Sequence, residues 1–187
     1  MGEIKDITGF LSKQNLDDFV FVETGTYLGD SALAASHLGF KKVYTIELQM
    51  YLYKQAKSKL ASQICSGKVE IILGDSKEML PYILDNHPND RFVFWLDAHI
   101  DGGNYRAGVT PNIEACPLYS ELQTISRHSR KDHIIIIDDL RIIGTEGWGI
   151  GVNKEGLIER IMSISSSYNI HFENGVKADD IMVASIG

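Results

Sequence analysis

The sequence predicts an α/β fold: a mostly parallel sheet covered by helices on both faces, with an antiparallel strand at its end. Apolar strand-like runs alternate with helix-like ones along most of the chain. Two of these runs, 92–96 (Phe-Val-Phe-Trp-Leu) and 134–137 (four isoleucines), are continuously apolar, as in strands buried on both faces. The last two strand-like runs, 168–172 and 181–186, are separated only by 173–180, which contains Asn174-Gly175. That gap is too short for a helical crossover, so the two runs must pair antiparallel.

The elements follow in order. Ile4, Ile7, Phe10 and Leu11 recur at helical spacing and predict a helix over 4–14. Strand 1 covers 19–23. A helix over 31–38 follows, with Gly39 as its stop. Strand 2 is 42–47, a helix spans 50–64, and strand 3 is 69–73, with Gly74-Asp75 at its tip. A short helix covers 77–84. Strand 4, 92–96, ends in Asp97. A loop over 102–116 leads to Pro117, which opens a helix reaching 129. Strand 5 is 133–137 and ends in Asp138-Asp139. Residues 140–153 are Gly-rich and irregular, and a helix over 154–165 precedes the terminal hairpin. Trp95, inside strand 4, reads as core. His37, His87, His128, His133 and His171 have no metal-ligand spacing and read as structural or exposed.

The 187 residues make a single domain, 1–187, large enough to bury roughly 70% of its unfolded surface. Its 44% hydrophobic and 23% charged content is that of a globular chain. A net charge of −7, with no basic cluster beyond the short stretch 127–131, argues against nucleic acid as a partner. Cys65 and Cys116 make neither a disulfide framework nor a metal-binding pair. With no signal-peptide pattern at the start and no apolar run of membrane-spanning length, no membrane association and a cytoplasmic location are expected.

The most informative stretch is Glu23-Thr24-Gly25-Thr26-Tyr27-Leu28-Gly29-Asp30-Ser31, between strand 1 and the next helix. An acidic strand tip, two glycines four apart and a helix start form a nucleotide-cofactor turn. Gly25 permits a sharp turn and Gly29 a close approach. A dinucleotide and S-adenosylmethionine (SAM) both fit such a crevice. The dinucleotide fingerprint needs a further glycine where this chain has Thr26 and Tyr27. Glu23 suits an ammonium or sulfonium better than a pyrophosphate. Glu47, at the tip of strand 2, is placed to accept bonds from ribose hydroxyls of either cofactor.

Glu23-x-Gly25-x-x-x-Gly29-x-Ser31 resembles the first motif of class I SAM-dependent methyltransferases, nearest to catechol, caffeoyl-CoA and macrocin-type O-methyltransferases. The resemblance extends from Asp18 to Ile186. It implies a Rossmann-like three-layer sandwich with a seven-stranded sheet of order 3-2-1-4-5-7-6 and a reversed last strand. It also implies a SAM pocket formed by Glu23, Gly25, Thr26, Gly29, Ser31, Glu47, Asp75, Ser76 and Asp97. Within that pocket Asp75 approaches the adenine amino group and Glu47 the ribose. Asp75 with Ser76 also reads as the cap of the following helix, and the two roles are compatible.

In a sheet of this order strands 4 and 5 are neighbours, so Asp97, Asp138 and Asp139 converge beside the cofactor. Like charges that close require a cation or a proton. Oxygen ligands alone point to Mg²⁺, which would acidify a substrate hydroxyl. Metal-dependent O-methyltransferases carry an Asp at the strand 4 tip and an Asp-Asp or Asp-Asn pair after strand 5. Leu96-Asp97-Ala98-His99 and Ile137-Asp138-Asp139 match those places. His99 stands where several relatives have a second acidic residue, and its readings are general base, metal ligand or orienter. Asp97 and His99 are the expected catalytic pair.

The acceptor is expected to be a small molecule bound between two loops, one with Tyr105 and Arg106, the other with Trp148. Without a cap domain, the site is open or is completed by a second subunit of a homodimer. The Asp/Asn-Pro-Pro-aromatic signature of DNA amino-methyltransferases is absent from the strand 4 tip. Competing readings are methylation of another acceptor (nitrogen or protein) without metal, a nicotinamide dehydrogenase, and a non-catalytic SAM-binding protein.

Overall fold

The computed structural model of the protein describes residues 4–98, 116–145 and 149–187. Seven strands form one sheet: β1 (Phe19–Thr24), β2 (Val43–Glu47), β3 (Val69–Leu73), β4 (Arg91–Leu96), β5 (Ile134–Ile137), β6 (Asn169–Glu173) and β7 (Ile181–Ser185). Their order is β3-β2-β1-β4-β5-β7-β6, as predicted. β1 to β5 run parallel, and β7 lies antiparallel between β5 and β6. The helices are α1 (Thr8–Leu11), α2 (Asp30–Ser36), α3 (Met50–Lys59), α4 (Ala61–Cys65), α5 (Ser76–Asn86), α6 (Leu118–Arg127) and α7 (Lys154–Ile164).

Strand alternation produces two cores, one on each face of the sheet. Val20, Val22, Phe92, Phe94, Ile135 and Ile137 enter the core that Leu122 and Ile125 of α6 and Leu157 and Ile161 of α7 complete. Phe19, Phe21, Val93, Trp95, Ile134 and Ile136 enter the other, closed by Ile4, Ile7, Leu11, Ala32 and Ala35. Both faces of β1, β4 and β5 are thus buried, which is why their sequences lack polar alternation.

Two expected helices are shorter than their periodicity implied. The 4–14 segment is a 3-10 turn (Ile4–Ile7) followed by the single turn α1. The 50–64 segment breaks at Leu60, whose ψ of 8° separates α3 from α4. Leu60 is buried beneath Gly29, where an added Cβ would come within 3.3 Å of both Leu60 Cδ1 and Ala56 Cβ. The break therefore lies under the Gly29 turn, and local helix propensity gave no sign of it.

At the opposite end of the strands, three histidines form a connected network. The Phe92 N–H donates to His133 Nδ1 at 3.2 Å, so the His133 proton sits on Nε2. That proton is donated to His128 Nδ1 at 3.0 Å, and His128 Nε2 donates to the His87 carbonyl at 3.1 Å. His87 joins Tyr44 and Asp90 at 2.8 and 2.9 Å. Burial, then the neighbouring His128, pushes His133 down to about 3. His133 is therefore expected to remain the neutral Nε2–H tautomer at pH 5. Imidazole ¹⁵N shifts test this, and a protonated His133 at that pH would refute the hydrogen-bond assignment.

Candidate active site

The turn after β1 is built as a close approach of two chain segments. Gly25 has φ +85°, and a Cβ there would meet the Asp97 carbonyl oxygen at 2.7 Å and Ala98 Cα at 3.1 Å. Gly29, at φ +80°, precedes α2, and Tyr27 between them is also left-handed at φ +50°. The Gly25 and Thr26 N–H groups both donate to the Ile46 carbonyl, at 3.0 and 3.1 Å. These two donors hold the turn against β2. Ser31 lies half-buried in the first turn of α2.

Glu47 ends β2, 5% exposed, and its carboxylate grips the turn. Its Oε2 accepts from Tyr27 N–H and its Oε1 from Gln49 N–H, each at 2.8 Å. With four acceptor sites, the carboxylate keeps capacity beyond the N–H groups of Tyr27, Gln49 and Leu48. Burial raises its pKa, while those backbone N–H groups oppose the rise.

Glu23, 1% exposed, falls in the column of Phe21, on the apolar face closed by Trp95. Thr45 Oγ1 donates to its Oε2 at 2.5 Å, and Thr26 Oγ1 lies 2.5 Å from Thr45 Oγ1. Burial, then the charges of Glu47 and Asp30 against the Thr45 bond, pushes Glu23 up to about 8. Without a bound cation it is a neutral acid at pH 7.

Asp75 caps α5, its Oδ1 accepting from Lys77 N–H at 2.9 Å. The capping half of its predicted double role is thus present, and buried Ser76 is the first residue of that helix.

The parallel ladder continues one residue past β4 and β5: Asp97 N–H donates to the Thr24 carbonyl at 3.1 Å, and Asp138 N–H to that of Leu96 at 3.3 Å. Continued alternation puts Glu23, Asp97 and Asp138 on one face of the sheet, with Glu23 level with Trp95 and Ile136 and Asp97 and Asp138 two residues further along. A narrow cleft beside Leu118 and Ile142 is lined by Asp97, Asp138 and Asp139. Asp97 is half-buried, with Oδ1 out of solvent contact, and its pKa is raised well above the usual range by burial and then by Asp138, Asp139 and Glu23. Asp138, 3% exposed, is pushed up to about 7 by burial and then Asp139. Its Oδ1 accepts from Asp139 N–H at 2.7 Å, while its buried Oδ2 has no hydrogen-bond partner among the described residues.

Asp139 turns away at φ +61°. Its Oδ1 accepts from Arg141 Nη1 at 2.5 Å, and the same nitrogen donates to Asp180 Oδ2. Ligand oxygens of Asp138, Asp139 and Asp180 come within 4.8 Å of one another. Neither Asp180 nor Arg141 was picked out as a functional residue from the sequence. Asp180 sits in the hairpin segment, read there only as a turn, and meets Arg141 across 39 positions. Thr45 was missed for a similar reason, being one of several β-branched residues in a strand. His99, Tyr105, Arg106 and Trp148 lie outside the described residues.

No protein-family model and no curated protein matches the chain. Solved structures do. A Staphylococcus aureus protein provisionally named a caffeoyl-CoA O-methyltransferase superposes at a TM-score of 0.63 with 17% identity, covering 100% of this chain and 85% of that one. A Bacillus cereus O-methyltransferase in complex with S-adenosylhomocysteine gives 0.62 and 15%, covering 100% and 82%. TomG, an O-methyltransferase of tomaymycin synthesis from Streptomyces achromogenes, in complex with SAM, gives 0.58 and 17%, covering 98% and 79%. The chain has the Rossmann-like fold of the SAM-dependent methyltransferases, reversed last strand included.

Proposed function

We propose that this protein is an enzyme that transfers a methyl group from SAM to a hydroxyl of a small-molecule acceptor. The observation that carries the reading is the meeting of the Gly25 turn with the Asp97 backbone, on the sheet face that carries Glu23, Asp97 and Asp138. The missing Cβ lets the Asp97 backbone close against the turn, which brings the two strand tips together at the crevice. Glu47 offers its remaining lone pairs to ribose hydroxyls. Burial and mutual repulsion raise Glu23 and Asp97, and a cationic ligand beside them would favour their charged forms. Asp75 and Ser76 face the adenine end. When bound, SAM supplies a sulfonium-activated methyl carbon for in-line displacement.

The donor set also fits Mg²⁺: Asp138 Oδ2 is a buried, unpartnered oxygen, and Asp97 and Asp139 border the same cleft. Those three residues would hold the ion, which lowers the pKa of a coordinated hydroxyl. His99, in this reading, takes the acceptor proton. A homodimer that completes the acceptor pocket and a cytoplasmic location belong to the same proposal.

Ligand-dependent melting provides the test. S-adenosylhomocysteine at 100 times its Kd is expected to stabilise the protein by about 2.7 kcal/mol, whereas NAD is expected to do nothing. Stabilisation by NAD alone overturns the methyltransferase reading. S-adenosylhomocysteine binding and turnover that are unchanged in chelator remove the metal but leave the methyl transfer.

A further inference from the structure

The acidic cluster at the β5 tip contains a cation of the protein's own. Arg141 Nη1 donates to Asp139 Oδ1 at 2.5 Å and to Asp180 Oδ2. The Arg141 backbone N–H donates to Asp180 Oδ1 at 3.0 Å, and the Leu140 N–H to the Asp180 carbonyl at 2.9 Å. The Asp180 side chain has no solvent exposure, and that of Asp139 only 5%. Asp138 completes the trio, and its Oδ2, buried and without a hydrogen-bond partner among the described residues, remains available to a cation.

The geometry points to Arg141 as a guanidinium plug seated between Asp139 and Asp180, in a place that a divalent cation would otherwise occupy. Three carboxylates within 4.8 Å of one another form an oxygen-donor set of the kind hard divalent ions take. A guanidinium keeps its charge at every working pH, so the plug does not titrate out. It is also tethered two residues from Asp139, which gives it a high effective concentration against an ion from solution. The consequence is directional. Arg141 keeps any metal of the proposed reaction away from Asp180, in the cleft that Asp97, Asp138 and Asp139 border, and Asp180 stays a counter-ion.

This inference rests on the reading of Asp138 and Asp139 given above, but its test requires neither SAM nor turnover. Mn²⁺ is titrated calorimetrically into the wild-type protein and into Arg141→Met, which keeps the aliphatic stem. The variant is expected to take up one more equivalent of Mn²⁺ than the wild type, and Arg141→Lys, which keeps the charge, none extra. Adding Asp180→Asn to Arg141→Met is expected to abolish the gain. Equal uptake by the wild type and Arg141→Met overturns the inference. If Arg141→Met folds only when a divalent ion is present, the ion has replaced the guanidinium and the inference stands. If Mn²⁺ cannot restore its folding, the inference falls. A wild type that binds no Mn²⁺ counts against the proposed Mg²⁺ role but leaves the comparison between proteins intact.

Discussion

Gly25→Ala is expected to cost roughly 3 kcal/mol of stability and to abolish S-adenosylhomocysteine binding. Two effects add. An L-residue at the observed φ of +85° pays about 1–2 kcal/mol in steric strain. The new Cβ would also lie 2.7 Å from the Asp97 carbonyl oxygen and 3.0 Å from its carbon. Those atoms are backbone, held by the Asp97 N–H bond to the Thr24 carbonyl, so no rotamer change relieves the contact. Relief requires the β1 and β4 tips to part, which deforms the crevice as well as the sheet. Gly74→Ala is the control. Its Cβ would come equally close, 2.7 Å, but to Cγ of Met79, a flexible side chain. Its expected loss is about 1 kcal/mol, the low end for overpacking, because Met79 can change rotamer. Urea unfolding of both variants decides the matter. Equal losses would mean that the Gly25–Asp97 contact is not the source of the strain.

Asp97→Asn is expected to move rate and stability in opposite directions. The proposed transfer should fall by about 10²- to 10³-fold, the scale for loss of one preorganised electrostatic partner at a reacting centre. Stability of the ligand-free protein at pH 8 should rise by on the order of 1–3 kcal/mol. The sign follows from burial. Glu23 is raised to about 8, Asp138 to about 7, and Asp97 well above its usual value. Between pH 4 and 8 these groups bind more protons in the folded chain than in the unfolded one. They therefore withdraw stability as pH rises through that window. Asparagine removes one member of the repelling set, so the gain should be largest at pH 8 and fade toward pH 4. Thermal melts across this range, with initial rates at pH 8, provide the measurement. A variant less stable than the wild type at pH 8 would contradict the repulsion account. An unchanged rate would place Asp97 outside the chemistry.

The fold was legible because its signals are local. The Ile134–Ile137 run declares a strand buried on both faces whatever lies around it, and the short 173–180 gap forbids a crossover. The Leu60 break was not legible, since the helical period continues through it and only packing under Gly29 distinguishes that residue. The histidines show the same limit. His128 and His133 have no ligand spacing, yet the turn from α6 to β5 brings them to 3.0 Å and backbone groups settle their tautomers.

For the site, the chain alone determined which residues stand at strand tips: the Gly25 turn, Glu47, Asp75, Asp97 and the Asp138-Asp139 pair. A strand's end is written in its own few residues, so those positions followed from sequence. Tertiary structure decided what each tip group does there. It buries Glu23 beside Thr45, closes Glu47 on the N–H of Tyr27, and seats Arg141 between Asp139 and Asp180. Apart from the Arg141–Asp139 contact, those pairings join segments 20 to 39 residues apart, and charge and hydrogen bonding act through space. Only the folded sheet brings the groups within that range.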